Sequence, residues 1–440
     1  MSSYWAAYAW LPNGLQPGVS FEVANGRFAH VQVSAEPRPD QHILSGVTLP
    51  GLANGHSHAF HRALRGRTHA AGGSFWTWRQ QMYALAARLD PDSYLALARA
   101  VFVEMAQAGY AVVGEFHYLH HDRGGRRYAD PNAMGKALIQ AATEAGVRLT
   151  LLDTCYLAGG LTAAGPLPLE EVQRRFSDGD VDHWQARLSQ LTEADRTRIG
   201  AAVHSVRAVP AEALSKIGEV AAERPLHVHL SEQPAENAAT QAYYGRTPTE
   251  LLDDHGLLGG RTTAVHATHL TDTDIKILGG TQTSVCICPT TERDLADGIG
   301  PARRLANAGS RLALGSDQHA VIDPFEEVRG LELHERLASG ERGCFTPRDL
   351  IMIASAAGYR SLGWPEGGRI ADDAFADFVV VRLDSVRTAG ARPEQIGFAA
   401  TAADVDHVVV GGQVIVRDGQ HRLGSPARLL TAALDQLGEA

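Results

Sequence analysis

The segment LPGLANGHSHAFHRALRG, residues 49–66, contains three histidines close together. His56 and His58 form an HxH pair, and side chains two residues apart on a β-strand point to the same face. Two imidazoles on one face can bind one metal ion, although a chain with 20 histidines also produces such pairs by chance. The metal hypothesis therefore depends on whether the rest of the chain supplies further ligands.

The middle of the chain alternates short apolar segments with longer helical patterns. Two of the helical patterns are PDSYLALARAVFVEMAQAG and PNAMGKALIQAATEAG, and the second ends in Gly, a common helix stop. Eight segments are predicted as strands: VTLPGLANGHSH, YAVVGEFHY, VRLTLLDTC, IGAAVHSV, PLHVHLSE, TTAVHATHL, TSVCICPT and RLALGSDQH. Eight strands that alternate with helices favour a parallel (β/α)₈ barrel over an open sheet.

Both ends of the chain are rich in short strands instead. SFEVANGRFAHVQVSAEP contains an Asn-Gly between two alternating runs, a hairpin signal, and VDHVVVGGQVIVRDGQ near the other end has a similar character. We therefore predict an α/β fold with two parts. Residues 49–369 form a TIM-like metal-dependent hydrolase barrel, and residues 1–48 and 370–440 together form a small β-sandwich.

Chemistry in such barrels lies at the C-terminal ends of the strands. The polar residues at or just past the predicted strand ends are His56, His58, Glu115, His117, His204, His229, Glu232, His266, Asp317 and His319. Carboxylates and unpaired imidazoles are poorly tolerated in a closed interior, so this concentration indicates a functional site.

Four of these residues would suit one divalent ion and leave a coordination position for water. They are His56, His58, His229 and Asp317. Two-metal versions of this architecture use a carbamylated lysine at the end of the fourth strand. The chain has only Lys136, Lys216 and Lys276, all in helical patterns, so we expect one metal ion, and zinc as that ion.

Three residues are candidates for proton transfer and polarisation. Glu232 could take a proton from the activated water and pass it to a leaving nitrogen, although a carboxylate in SEQPAE could also cap a helix. His266 could polarise the electrophile, with His269 as its rival in VHATHL. Asp317 could both contact the metal and accept a proton from the water.

The motifs NGHSH, HLSE, HATH and GSD, in this order, resemble the amidohydrolase superfamily. More narrowly, FWTWR, EFHYLHHD, HSVRAVP and DGIGPA are similar to the formimidoylglutamate deiminases of histidine degradation, over residues 1–424. The resemblance implies zinc-dependent hydrolysis of N-formimidoyl-L-glutamate to N-formyl-L-glutamate and ammonia. Water activated by the metal would attack the formimidoyl carbon, with Glu232 moving the proton and His266 supporting the charge.

The resemblance also implies roles for individual residues. It implies the same metal ligands as above, and it implies substrate contacts from His61, Arg79, Tyr118, His204 and Arg207. Family members often have Gln where this chain has His61, whose imidazole can still donate one hydrogen bond. A substrate with two carboxylates suits two guanidinium groups, here Arg79 and Arg207, although either could instead be a surface or interface charge.

Composition limits the partners. A formal charge of −10 argues against a nucleic-acid or anionic membrane surface, and no apolar run approaches the length of a membrane span. Four cysteines indicate a reducing compartment, and no secretory signal is visible, so we expect a cytoplasmic protein. The expected partner is a small dicarboxylate substrate, and a homodimer is expected for this family.

Two other functions stay open. A deaminase or chlorohydrolase acting on a heterocycle such as guanine would use the same metal centre, with FWTW as a stacking wall. A non-catalytic barrel scaffold is the alternative from another class, but such proteins usually lack a metal ligand, and here all four are present.

Overall fold

The computed structural model describes residues 2–69 and 73–438. Its strands are β1 (Ser2–Leu11), β2 (Gly14–Ala24), β3 (Arg27–Val33), β4 (His42–Pro50), β5 (Leu52–Ser57), β6 (Tyr110–His117), β7 (Arg148–Cys155), β8 (Gly160–Thr162), β9 (Gly165–Leu167), β10 (Thr197–Val203), β11 (Leu226–Leu230), β12 (Thr262–His266), β13 (Ser284–Ile287), β14 (Leu312–Leu314), β15 (Phe378–Val381), β16 (Val405–Val410), β17 (Gln413–Arg417) and β18 (Gln420–His421).

Its helices are α1 (Phe75–Ala86), α2 (Pro91–Ala108), α3 (Ala133–Ala145), α4 (Val181–Leu188), α5 (Ala211–Val220), α6 (Pro234–Tyr244), α7 (Pro248–Asp254), α8 (Asp272–Gly280), α9 (Pro289–Asp294), α10 (Ala302–Ala308), α11 (Pro324–Ser339), α12 (Pro347–Met352), α13 (Gly358–Ser361), α14 (Ile396–Ala399) and α15 (Pro426–Gln436). None of these described helices combines the length and the apolar character needed to cross a bilayer.

Eight parallel strands form the barrel, in the order β5, β6, β7, β10, β11, β12, β13 and β14. A parallel bridge between Ser57 and Asp317 joins the ends of β5 and β14 and closes the ring. Two backbone hydrogen bonds form this seam: Asp317 N–H donates to the His56 carbonyl at 3.0 Å, and His58 N–H donates to the Asp317 carbonyl at 3.1 Å. The predicted (β/α)₈ barrel is confirmed.

The first predicted barrel strand, VTLPGLANGHSH, is two strands in the structure. The two strands are separated at Gly51, whose N–H donates a hydrogen bond to the carbonyl of Asp377. β4 belongs to the terminal sheet, and β5 belongs to the barrel. Only glycine fits at this crossing, because a Cβ at Gly51 would lie 2.6 Å from the Tyr359 hydroxyl. Hydropathy alone does not mark the break, since both strands are buried.

The glycine stop predicted at the end of PNAMGKALIQAATEAG is confirmed, and α2 also begins and ends at local signals. Asp90 caps α2 by accepting a hydrogen bond from the Ser93 N–H at 2.8 Å, and Gly109 ends the helix with a φ of 110°. Gly146 ends α3 with a φ of 85°, a left-handed conformation that favours glycine. These stops return the chain to the start of the next parallel strand.

The two termini form one mixed eight-stranded sheet, in the order β3, β2, β1, β4, β15, β16, β17 and β18. Four strand spacings, about 19 Å in a flat sheet, separate β3 from β15. The Phe28 and Phe378 ring centroids are nevertheless 6.0 Å apart, so the sheet folds over a core that also contains Tyr4 and Phe21. This arrangement fits the predicted sandwich built from both termini, and α15 then packs against α2 of the barrel.

A buried ion pair joins the terminal sheet to the barrel. The Asp377 carboxylate accepts hydrogen bonds from Arg148 Nε at 2.7 Å, from the Tyr359 hydroxyl at 2.8 Å and from the Gly411 N–H at 2.6 Å. Asp377 is fully buried and Arg148 almost so. Neither charge reaches water, so each is stabilised mainly by the other.

We expect Asp377→Ala to lower the free energy of unfolding by about 3–5 kcal/mol, because it leaves a buried guanidinium without its counter-charge. Denaturant unfolding monitored by circular dichroism measures the change. The matched control is Asp384→Ala at an exposed ion pair, which should change stability by less than about 0.5 kcal/mol. Equal effects of the two substitutions would contradict this account of the junction.

Candidate metal centre and active-site cavity

Three imidazoles and one carboxylate converge at the C-terminal end of the barrel. Nε2 of His56 lies 3.1 Å from Nε2 of His229 and 3.3 Å from Oδ1 of Asp317. Nε2 of His58 lies 3.4 Å from the same Asp317 oxygen. The four residues predicted as metal ligands are thus brought together, from β5, from β11 and from the turn after β14.

Hydrogen bonds at the other ring nitrogens set the direction of two of these imidazoles. Nδ1 of His58 donates to the Phe116 carbonyl at 2.9 Å, and Nδ1 of His229 donates to the His204 carbonyl at 2.8 Å. A carbonyl only accepts, so Nδ1 carries the hydrogen and Nε2 keeps its lone pair. Both lone pairs face the centre of the cluster.

Burial favours the uncharged form of the imidazoles. It lowers the pKa of His58 to about 4, and it lowers the pKa values of His56 and His229 well below the ordinary value. When the Nε2 atoms of His56 and His229, 3.1 Å apart, both carry a lone pair, they repel each other, and a cation between them removes that repulsion. Three nitrogens and one carboxylate oxygen are the donors that zinc prefers, so the residues present fit a divalent ion.

The backbone is bent where the strands end. Ser231, His266 and Asp317 have φ values of 49°, 68° and 43°, which non-glycine residues rarely adopt. Gly315 lets β14 approach β5 closely, because a Cβ there would lie 2.8 Å from the His56 Cβ. Side chains normally alternate between the two faces of a strand. The bends and this close approach turn the side chains at these strand ends towards one centre instead.

Glu232 and His266 lie beside the metal-ligand cluster. Nε2 of His266 is 3.8 Å from Oε1 of Glu232 and 3.8 Å from Oδ2 of Asp317, and its Nδ1 is 3.4 Å from Glu292. Burial opposes a charge on this imidazole, but the surrounding carboxylates, Glu232 first, raise its pKa well above the ordinary value. Burial also raises the pKa of Glu232, although His266 and Arg207 oppose that shift. The pair can hold one positive and one negative charge in contact.

A cavity of about 280 Å³ opens beside the cluster. All five predicted substrate contacts line it: His61, Arg79, Tyr118, His204 and Arg207. Every predicted metal or catalytic residue lines it too, except His56, which is fully buried beneath the others. The structure thus gathers the whole predicted set around one space.

The two arginines of the cavity differ in their surroundings. Arg207 is nearly buried and faces two carboxylates, Glu232 and Glu236, each at 3.7 Å. Arg79 stacks between the Trp76 and Tyr83 rings, with its guanidinium carbon 5.1 Å from each centroid. Within residues 2–69 and 73–438 it has no carboxylate partner, so Arg79 is a cation available to an anionic ligand.

His61 contacts another predicted residue. Its Nε2 lies 2.9 Å from the Tyr118 hydroxyl, while its Nδ1 is buried and has no hydrogen-bond partner among the described residues. The ring also packs 4.5 Å from His58. His61 therefore forms the wall between the metal-ligand cluster and Tyr118.

Some polar strand-end residues lie outside the cavity. Glu115 accepts hydrogen bonds from the Ser57 hydroxyl at 2.5 Å and from the Ala59 N–H at 2.7 Å, and His319 contacts the same hydroxyl at 3.2 Å. They support the HxH segment from below. His117 lies instead beside His120, at 3.3 Å. Position at a strand end alone does not distinguish a residue that lines the cavity from one that supports it.

Sequence reasoning missed three residues of the site. Tyr156 follows β7 directly, so its strand-end position is a signal for the site, but a tyrosine is neither a usual zinc ligand nor a carboxylate. Tyr83 lies one turn after Arg79 on α1, and this spacing places both on one face. Glu292, which contacts His266, lies on the short helix after β13, and the sequence gives no local sign of this contact.

Several known proteins are similar to this chain. Residues 47–415 match the model of the amidohydrolase family. Formimidoylglutamate deiminase from Pseudomonas aeruginosa is 37% identical, over 100% of this chain and 99% of that protein. An amidohydrolase from Brucella melitensis is 33% identical, with a TM-score of 0.92 over 99% of this chain and 100% of that chain. An adenosine deaminase from Xanthomonas campestris, solved with bound zinc, shares the fold, with a TM-score of 0.84 at 22% identity over 100% and 98% of the two chains.

We expect His229→Ala to abolish tight metal binding, because it removes one of three imidazoles that face the same centre. Elemental analysis of the purified protein by mass spectrometry measures the metal per chain. His269→Asn is the matched control, since the His269 ring bonds to the Asp297 carbonyl instead of facing the cluster. A His229→Ala protein that retains a full equivalent of metal would show that the ion binds elsewhere.

Proposed function

Because the chain belongs to the amidohydrolase family, we propose that it hydrolyses N-formimidoyl-L-glutamate to N-formyl-L-glutamate and ammonia, with one zinc ion. The Pseudomonas aeruginosa deiminase, similar along its whole length, supports this substrate. Zinc is the proposed ion because the donor set matches its preference, and the adenosine deaminase of the same fold contains it.

The observation that carries the substrate proposal is the pair of arginines in the cavity. Arg79 and Arg207 both line the space that the metal-ligand cluster faces, and Arg79 has no carboxylate partner in the described part of the chain. A guanidinium held against aromatic rings binds a carboxylate through paired hydrogen bonds. A neutral ligand would leave Arg79 without a counter-charge, whereas a dicarboxylate supplies an anion to each arginine.

His56, His58, His229 and Asp317 would hold the zinc ion. When bound, zinc lowers the pKa of a coordinated water molecule and so supplies a nucleophile at neutral pH. The open side of the cluster faces the cavity, since His58, His229 and Asp317 line it and His56 does not. The formimidoyl carbon is therefore presented from the cavity side.

The chain's own residues then handle the protons. Glu232 takes the proton that water loses as its oxygen bonds to the formimidoyl carbon, and it passes this proton to the terminal nitrogen as that C–N bond breaks. The positively charged His266, 3.8 Å from Glu232, stabilises negative charge that develops on the attacked group. The terminal nitrogen of the amidinium already carries two hydrogens and leaves as ammonia with the one from Glu232. Asp317 accepts the second proton of the former water oxygen, which becomes the formyl oxygen.

One feature of the cavity favours the heterocycle alternative. Phe75, Trp76 and Trp78 line it and could stack against a flat ring. The same rings, however, pack around the charged groups: Trp76 stacks on Arg79, and Phe75 lies 5.9 Å from the Arg207 guanidinium carbon. This arrangement suits an anion bordered by aromatic rings as well as a planar base, so the two functions need a direct test.

Purified, zinc-loaded protein should release ammonia from N-formimidoyl-L-glutamate and leave guanine and adenosine unchanged. A coupled glutamate dehydrogenase assay for ammonia measures both. Zinc removal by a chelator should abolish the activity, and added zinc should restore it. Rapid turnover of a purine without turnover of formimidoylglutamate would overturn the proposal.

Glu232→Gln should retain zinc but lower kcat by about 10²- to 10⁴-fold, because an amide cannot carry the proton. Ammonia release and metal content are measured on the same sample. Glu219→Gln, at an exposed position on α5, is the control and should behave as wild type. Activity within a few-fold of wild type in Glu232→Gln would remove Glu232 from the proton pathway.

A further inference from the structure

Two tyrosines on the cavity wall have no role in the scheme above. Tyr83 on α1 and Tyr156 after β7 both line the cavity, and both pack against Phe176, with ring centroids 5.9 and 5.4 Å from it. Their hydroxyls meet at Gln173, which is completely buried in the turn before α4. A buried amide that joins two phenols fixes their orientation.

The hydrogen bonds of Gln173 define which way its amide faces. Its Oε1 accepts from the Glu170 N–H at 2.8 Å, and its Nε2 lies 3.0 Å from the Gly159 carbonyl. A backbone N–H only donates and a carbonyl only accepts, so the two ends of the amide cannot be exchanged. The same Nε2 lies 3.0 Å from the Tyr83 hydroxyl and 2.9 Å from the Tyr156 hydroxyl.

The phenol oxygens are therefore acceptors towards Gln173. Nε2 has two hydrogens, of which the Gly159 carbonyl takes one, and the phenols share the other. Their own hydrogens must then point elsewhere. A hydrogen bond between Tyr83 and Tyr156 could use only one of the two, so at least one phenolic hydrogen is left to donate to a ligand in the cavity.

These phenols lie beyond the metal-ligand cluster and close to the arginines. The ring of His204 packs between those of His229 and Tyr156, with centroid distances of 5.1 Å to His229 and 4.6 Å to Tyr156. Arg79 stacks on Tyr83 at 5.1 Å. Burial, and then the neighbouring Tyr83, raise the pKa of Tyr156 well above the ordinary value, so this phenol keeps its hydrogen. A donor of this kind next to a guanidinium that stacks on aromatic rings suits a carboxylate.

We propose that Tyr83 and Tyr156, together with Arg79, bind the substrate carboxylate farther from the formimidoyl group, and that Gln173 is the positioning residue that orients the two phenols so that a phenolic hydrogen points into the cavity. The inference rests on the proposed function and deepens it, because it assigns the side-chain carboxylate of the glutamyl group to this end of the cavity. An amide at that position would replace an anion with a weaker, neutral acceptor.

The test compares two ligands that differ only at this position, N-formyl-L-glutamate and N-formyl-L-glutamine. Isothermal titration calorimetry on zinc-loaded protein gives the ratio of their Kd values. Wild type should favour formylglutamate by at least about tenfold. Tyr83→Phe and Tyr156→Phe should each weaken formylglutamate about 10- to 100-fold, change formylglutamine little, and so bring the ratio towards one.

Kinetics provide a second readout. The two Tyr→Phe substitutions should raise KM for formimidoylglutamate and leave kcat within a few-fold, because the phenols do not touch the reacting carbon. Gln173→Glu should have the same effect although both phenols are present, since a carboxylate draws the phenolic hydrogens away from the cavity. Tyr8→Phe in the terminal sheet is the control, and zinc content and thermal unfolding identify variants that do not fold.

Unchanged Kd ratios and KM values in both Tyr→Phe variants would overturn the inference while the proposed function stands. Binding of glutarate, a dicarboxylate without the amidine, tests the subsite independently of the proposed reaction. If wild type does not turn over formimidoylglutamate but the two substitutions still weaken glutarate binding, the subsite is supported and the proposed function is wrong. If wild type binds neither glutarate nor formylglutamate, both are wrong.

Discussion

The closure of the barrel and the assembly of the metal-ligand cluster depend on the same hydrogen bonds. Asp317 is joined to His56 and His58 through the backbone bonds that connect the last strand to the first. Below this seam, Asn54 forms a second connection, donating to the Ser316 hydroxyl at 2.7 Å and accepting from the Ser316 N–H at 3.0 Å. Opening the seam would separate the carboxylate from two of the three imidazoles, so the site exists only in the closed barrel.

The cluster and the cavity have opposite electrostatic requirements. The imidazoles of His56, His58 and His229 are held neutral by burial and offer lone pairs, which suits a cation. Beside them, Arg207 faces two carboxylates, whereas Arg79 contacts aromatic faces and has no carboxylate partner among residues 2–69 and 73–438. One small space therefore offers groups suited to a cation at one end and a guanidinium suited to an anion at the other.

Much of the fold follows from local signals in the sequence. Apolar segments of strand length that alternate with helical patterns, one of them with its stop at Gly146, were sufficient for the barrel, because these features act within a few residues. The break at Gly51 was not predicted, since it depends on the Tyr359 hydroxyl and the Asp377 backbone, which are more than 300 residues away in the chain.

The candidate site likewise has features that the sequence predicted and features that only the structure revealed. The types and spacing of the histidines and carboxylates identified which residues could bind a metal, and the structure brings the four predicted ligands into one cluster beside the cavity, while their individual roles stay predictions. The sequence by itself determined the chemical groups and the strand ends that carry them, because a parallel barrel directs all its strand ends to one rim. Only the tertiary structure decided that Glu115 supports the site from below, that Arg79 lies against aromatic rings without a carboxylate partner in the described part of the chain, and which way the Gln173 amide faces. Each of these depends on contacts between segments far apart in the chain, and such contacts leave no local pattern in the sequence.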